Sequence, residues 1–197
     1  MLDNLGFNIS TLIAGLGITG IAVALAAQAL LGDLFSYFVI FFDKPFEIGD
    51  FVVFENNSGS IEKIGIKTTR VRSLSGEQLI VSNSKLTNSL VHNYKRMEKR
   101  RVVFNIGVTY QTTAEQLKAI PEIVKNIIAK NEYAQFDRGH FQSFGDSSLK
   151  FEFVYFILTA DYTIYMDVQQ NINLEIYEEF GKRGIEFAYP TQTVFLN

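Results

Sequence analysis

Between residues 4 and 32 the chain reads NLGFNISTLIAGLGITGIAVALAAQALLG, without a single charged side chain. At about 1.5 Å of rise per residue, a helix over this stretch would reach roughly 40 Å, enough to cross the hydrocarbon core of a bilayer. Uncharged runs of this length are rare in soluble domains. Small residues (Gly15, Gly17, Gly20, Ala24, Ala27 among them) are threaded with bulky ones such as Leu16, Ile18, Ile21 and Leu25. A helix that faces only lipid has no need of so many small positions, whereas small-xxx-small spacings let helix backbones approach closely. The stretch therefore reads as a spanning helix that packs against copies of itself. Only Asp3 precedes it, and it outruns an ordinary h-region, so it does not read as a secretory signal.

Composition narrows the rest. A hydrophobic content of 47% with 20% charged residues belongs to a folded chain. A net charge of −3 over 197 residues does not point to a nucleic-acid partner. Absence of cysteine removes disulfides, thiolate metal sites and cysteine nucleophiles together. Neither a P-loop nor a nucleophile elbow occurs. Gly15-Leu16-Gly17-Ile18-Thr19-Gly20 spells G-x-G-x-x-G, but it lies inside the apolar helix without the strand that phosphate binding requires. His92 and His140 lack metal-ligand spacing and read as structural or solvated, and Glu178-Glu179 reads as a solvated helix face. No catalytic residue, metal ligand or cofactor is expected.

Downstream, Asp33 is the only charge between Asp3 and Asp43, and residues 34–42 are apolar and strongly aromatic. One straight helix through all of this would be too long for a perpendicular span. A bend is therefore expected around Gln28, Ala29, Gly32 and Asp33, leading into an interfacial segment. Lys44, Lys63, Lys67, Arg70 and Arg72 all come after the helix, and none precedes it, so the positive-inside bias places the domains beyond the helix in the cytoplasm.

From Pro45 onward, short runs rich in Val, Ile, Phe and Thr (51–55, 60–66, 67–73 and 78–82) are punctuated by Gly49-Asp50, 56–59 and Ser75-Gly76. This pattern predicts a small β barrel or sandwich over 44–93, closed by a polar stretch at 83–93. The basic run 94–101 reads as a solvated linker, or as a segment drawn to anionic headgroups. A second domain over 102–197 shows the order strand, helix, strand, strand, helix, strand. The spans are 102–110, 113–130, 140–144, 149–159, 161–182 and 185–189. Pro121 is expected to bend or split the first helix. In the second, Ile164, Val168, Ile172, Ile176 and Phe180 form the inward face, and Gly184 stops it. That order predicts a split βαβ, ferredoxin-like domain. The fold class is thus membrane α+β, with one transmembrane helix leading into two domains.

On a helical projection Ile18, Ile21, Leu25 and Gln28 fall near one stripe, and Gly17, Gly20, Ala24 and Ala27 form an adjacent small stripe. If several copies surround an axis, the small stripes can mate side to side while Ile21 and Leu25 form apolar rings that close a pore by dewetting. The residues leave this nearly balanced against a membrane-anchored oligomeric binding or assembly module without conduction.

The chain resembles the small-conductance mechanosensitive channel family over most of its length. The features that carry the resemblance are the Ala/Gly-rich helix ending in Ala26-Ala27-Gln28, the segment Lys44-Pro45-Phe46-Glu47-Ile48-Gly49-Asp50, and Thr68-Thr69-Arg70-Val71-Arg72. Gly76-Glu77-Gln78-Leu79-Ile80-Val81-Ser82-Asn83 and Tyr189-Pro190-Thr191-Gln192 complete the set. What the resemblance implies is a homoheptamer in the inner (plasma) membrane, with a hollow cytoplasmic vestibule. Such an assembly opens under bilayer tension and releases ions and small solutes, with weak selectivity, on hypo-osmotic shock. Membrane lipids and the permeating solutes would be its partners. Carried over by position, Ile21 and Leu25 match the constriction rings, Gln28-Ala29 the bend, and residues 34–42 the half of the helix lying along the membrane. The chain departs from the pattern in three residues. Ala29 stands where a bend glycine is usual, Ser82 where proline often precedes Asn83, and Ile21 where leucine is common. Family members also carry transmembrane helices before the pore helix, which here lies close to Met1, so the sequence is expected to be a pore-and-vestibule fragment or to be multi-pass only with upstream helices.

Overall fold

The computed structural model describes residues 9–191, and the chain divides into two compact units, Met1–Lys95 and Arg96–Asn197. The first unit opens with helix α1, Ile9–Asp43. Its hydrogen-bonded ladder is continuous but its axis is not: Ile13–Gln28 and Leu30–Asp43 meet at 45°. Among the described residues no single helix is long and apolar enough to cross a membrane, whereas these two segments pass that test together. The break between the two segments falls at Ala29. Gly32 lies beyond the bend, within the second segment. Helix α1 ends where Lys44 turns left-handed (φ 46°) ahead of Pro45, and the Lys44 amide donates to the Ile40 carbonyl at 3.0 Å.

Next comes a five-stranded antiparallel sheet, built from β1 (Phe51–Phe54), β2 (Asn57–Ile64), β3 (Thr68–Ser73), β4 (Gln78–Ser82) and β5 (Val91–Asn93). Its order is β4-β3-β2-β1-β5, so β4 and β5 form the two edges. Alternation buries Val52, Phe54, Ile61 and Val71 on one face, where they pack with Ile40, Phe46 and Leu86. One expectation needs correction here. The turn expected at 56–59 lies at Glu55-Asn56, with Glu55 left-handed (φ 49°), and Asn57, Ser58 and Gly59 pair with Phe54, Val53 and Val52. Their composition is that of a turn, but the β1 backbone groups need partners, and the ladder supplies them. Gly59 suits that place, since a Cβ there would overlap the Arg72 carbonyl across the hairpin. The polar stretch 83–93, expected to close the domain, holds the short helix α2 (Asn83–Thr87) and β5.

The second unit begins its sheet at Arg100, inside the basic run expected to be a linker. Strand β6 (Arg100–Val108) leads to α3 (Ala114–Ala129), β7 (Ala134–Phe144), β8 (Leu149–Ile157) and α4 (Tyr162–Lys182). The sheet order is β6-β8-β7, all antiparallel. Thr113 caps α3 through a reciprocal box with Gln116, and the Gln116 side chain also donates to the Arg183 and Gly184 carbonyls at 3.0 and 3.3 Å, tying the start of α3 to the end of α4. Pro121 does not split α3: the buried face Ile120, Ile123, Val124, Ile127 and Ile128 holds the helix through it. In α4, Val168, Ile172, Ile176 and Phe180 are buried and Ile164 is partly so. Gly184 takes a left-handed φ of 64° after it. The expected strand 185–189 reduces to a single bridge between Val108 and Phe187, with Pro190, which has no amide hydrogen, close behind.

Candidate functional site

Among the described residues, the first segment of α1 is largely exposed. Ile21 is 63% exposed and Leu25 64%, and Ile13, Leu16, Ile18 and Val23 are exposed on the remaining sides. An isolated helix with apolar residues all round is unstable in water, so this segment requires lipid, further helices or both. The glycines point the same way. A Cβ built at Gly15, Gly17 or Gly20 would meet nothing within 4 Å, so packing among the described residues does not account for them. Ile21 and Leu25 share a face with Ala24, Gln28, Leu31, Gly32 and Phe35, and these residues line a shallow apolar groove across the bend. Ala24, expected on the small stripe with Gly17, Gly20 and Ala27, thus lies on the same groove as the bulky pair. Thr19 satisfies its hydroxyl within the helix by donating to the Gly15 carbonyl at 2.8 Å.

Asp33, expected to mark the bend, does something else. It is 5% exposed and lies past the bend, where its Oδ1 accepts from the backbone N of Ser84 at 3.1 Å and from Ser84 Oγ at 2.6 Å. Ser84 sits in the first turn of α2, whose own N-cap, Ser82, makes no side-chain capping bond. A carboxylate delivered from α1 therefore caps α2. One turn along, Ser36 Oγ and Thr87 Oγ1 share a hydrogen bond of 2.9 Å. Together with Ile40, buried at 2% in the sheet's core, these contacts anchor the second segment of α1 to the β sheet. Ser84 and Thr87 lie 51 residues from their partners, so no local pattern in the sequence could have identified them.

Two further polar nodes hold this arrangement. Asn83 is fully buried; its Nδ2 donates to the Gly65 and Ile66 carbonyls at 2.8 and 3.0 Å, and its Oδ1 accepts from Thr69 Oγ1 at 2.9 Å. It thereby fixes the β2–β3 turn directly beside Ser84. Asp50 Oδ2 accepts from the Glu47 amide at 3.0 Å and from Asn93 Nδ2 at 2.8 Å, while Asn93 Nδ2 also donates to the Pro45 carbonyl at 3.1 Å. That node ties the exit of α1 to β5. On the outer surface, Glu62 accepts from Gln78 Nε2 at 2.6 Å and from Arg72 Nε at 2.9 Å, and these bonds, the Gln78 one foremost, hold its carboxyl below the usual range. No group of three or more His, Cys, Asp or Glu that could hold a metal occurs among the described residues. His92 and His140 lie in different units.

Known proteins resemble this chain along most of its length. Residues 1–28 match the family model of mechanosensitive ion channel transmembrane helices 2/3, residues 29–96 that of the mechanosensitive ion channel β-domain, and residues 102–187 that of the mechanosensitive ion channel MscS C-terminal part. The chain is 41% identical to the large-conductance mechanosensitive channel MscMJLR of Methanocaldococcus jannaschii, over 100% of this chain and 56% of the relative. It is 39% identical to that organism's small-conductance channel MscMJ, over 99% and 56%. With an uncharacterized MscS family protein of Archaeoglobus fulgidus it shares 31% identity, over 99% of this chain and 68% of the relative. The chain thus spans little more than half of the two Methanocaldococcus channels. Among solved structures, Arabidopsis thaliana MSL1 superimposes with a TM-score of 0.84 at 19% identity, over 94% of this chain and 68% of that one. Helicobacter pylori MscS in its closed state gives a TM-score of 0.80 at 24% identity, over 100% and 77%. At these identities the structural likeness establishes a shared fold. The three matched models and the relatives agree throughout, and the chain belongs to the MscS family of mechanosensitive ion channels.

Proposed function

We propose that this chain forms the pore and vestibule portion of a tension-gated, weakly selective channel in the inner membrane. Residues 1–43 would supply the bent pore helix and 44–93 a small β domain. After the basic segment 94–101, residues 102–197 would form a ferredoxin-like vestibule domain on the cytoplasmic side. The Val108–Phe187 bridge, which adds a fourth line to the order β6-β8-β7, supports the ferredoxin-like reading. The observation that carries the proposal is the exposed first segment of α1: apolar on every side, with glycines that no described side chain packs against, and with Ile21 and Leu25 on one grooved face.

Several copies, seven by the family resemblance, would pair Gly17, Gly20, Ala24 and Ala27 side to side. Ile21 and Leu25 would then stack as rings whose apolar walls exclude water from a narrow conduit. Tension favours whichever state occupies more membrane area, and splaying the helices about the bend rewets the rings. No side chain performs chemistry in this scheme. The test is reconstitution of the chain in liposomes with suction applied to excised patches. Stepwise currents that grow with suction support the proposal. Stable oligomers without any current would leave the alternative, a membrane-anchored assembly module.

A further inference from the structure

Asn93 is the last residue of β5 and lies opposite Val52 in the ladder with β1. Its side chain makes hydrogen bonds to three separate parts of the chain. Nδ2 donates to the Pro45 carbonyl at 3.1 Å and to Asp50 Oδ2 at 2.8 Å, and Oδ1 accepts from the Lys95 backbone N at 3.0 Å. Only one orientation of the amide serves all three, since a carbonyl and a carboxylate require donors and a backbone N–H requires an acceptor. Aspartate in its place would keep the Lys95 bond and lose the other two.

The three bonded points belong to different parts of the path through the first unit. Pro45 lies in the turn that follows α1, and Asp50 directly precedes β1. Asp50 Oδ2 also receives the Glu47 amide at 3.0 Å, so the turn 45–50 is bound into the same node. Lys95 is the last residue of the first unit, and from it the chain runs on to β6. The outgoing segment has a second hold, the ring of Tyr94 edge-on to Phe51 at the head of β1, with centroids 6.2 Å apart. The second segment of α1 is therefore fixed near its start by the Asp33–Ser84 contact and at its exit by Asn93. The first contact leads to α2. The second leads to the point where the chain leaves the unit. Coupling between distant points is carried by hydrogen-bond networks mounted on rigid elements, and here the rigid element is the β1–β5 ladder.

Resting on the channel reading above, we propose that Asn93 is a positioning residue for opening. It couples the exit of α1 to the connection that runs into the second unit, so α1 cannot splay without pulling on that connection. The added load favours the closed state. Asn93 acts through Pro45 and Asp50 on one side and through Lys95 on the other.

The experiment compares wild type and Asn93→Ala in liposome patches, each with and without a Gly-Ser-Gly-Ser insertion between Met97 and Glu98. The insertion slackens the connection and leaves the node intact. Asn93→Ala lowers the tension threshold, and so does the insertion in wild type. The insertion adds nothing to Asn93→Ala, because both changes remove the same load. Additive shifts, or an Asn93→Ala threshold equal to wild type, overturn the inference and leave the channel reading intact. Asn93→Asp separates the arms: it keeps an acceptor for the Lys95 amide but sets a carboxylate against Asp50, and its threshold falls as that of Asn93→Ala does. A wild-type threshold in Asn93→Asp also overturns the inference. Absence of current in wild type overturns the channel reading instead, and amide exchange in the detergent-solubilised chain then decides whether the node couples its two sides. Asn93→Ala speeds exchange about tenfold at Lys95 and also at Lys44, whose amide closes α1 on the Ile40 carbonyl. Faster exchange at Lys95 alone removes the coupling.

Discussion

The carboxylate of Asp33 on α1 closes the first turn of α2 by accepting from both the amide and the hydroxyl of Ser84, at 3.1 and 2.6 Å. This makes a lone acid of the apolar helix into a structural bolt. An acid within an otherwise apolar helix is costly unless it is paired, and here a helix N-terminus from another part of the unit supplies the pairing. Any movement of the second segment of α1 must either carry α2 with it or break this contact.

Replacing Asp33 with Ala should lower the unfolding midpoint of the first unit by roughly 5 °C, the usual effect of losing one cap in a domain of this size. The Ser84 amide should exchange its hydrogen faster, since nothing else caps it. Unfolding in detergent together with amide exchange reads both effects. Unchanged protection at Ser84 would contradict the capping role.

Leu25→Ser places a hydroxyl on the grooved face of α1 at little cost to packing among the described residues, because Leu25 is largely exposed there. If Leu25 forms an apolar ring, the variant lowers the tension threshold or leaks at rest. Patch recordings with wild-type threshold and no leak would count against this gate.

Gly139 lies under the ring of Phe153, which is fully buried and stacks on Phe104 at a centroid distance of 5.4 Å. A Cβ at position 139 would overlap that ring, so the ring or the strand must shift. Gly139→Ala should cost about 1–3 kcal/mol of stability by overpacking, measured as a lower unfolding midpoint. A midpoint equal to wild type would show that the sheet yields more easily than its packing implies.

Acidification should loosen the β2–β3 surface. Glu62 has a folded pKa below its ordinary value of 4.5, through Gln78 and then Arg72. Its contribution is therefore complete above that ordinary value and disappears as pH falls through the lowered one. Glu62→Gln removes this dependence. The difference in unfolding midpoint between wild type and variant should be constant above about pH 5.5 and shrink below about pH 4. A difference that stays flat through the acid range would remove Glu62 from the set of pH-sensitive contacts.

Much was legible in the residues alone, because those features are local. An uncharged apolar run announces its need for lipid wherever the chain places it. The period of Val168, Ile172, Ile176 and Phe180 determined which face of α4 is buried, and Thr113 with Gln116 wrote a capping box that needs only neighbouring residues. Pairings that join distant positions were not legible. Asn57, Ser58 and Gly59 have turn composition, yet they form a strand because β1 lies opposite them. Arg100 and Arg101 look like linker until β8 pairs with them. The last expected strand faded to one bridge at Phe187 because pairing at an edge depends on the residues flanking it, and Pro190 cannot donate. Asp33 shows the distinction most sharply. Sequence placed a lone acid near a bend in an apolar helix, whereas tertiary structure decided that it caps a helix 51 residues away, since only the folded chain brings Ser84 within hydrogen-bonding reach.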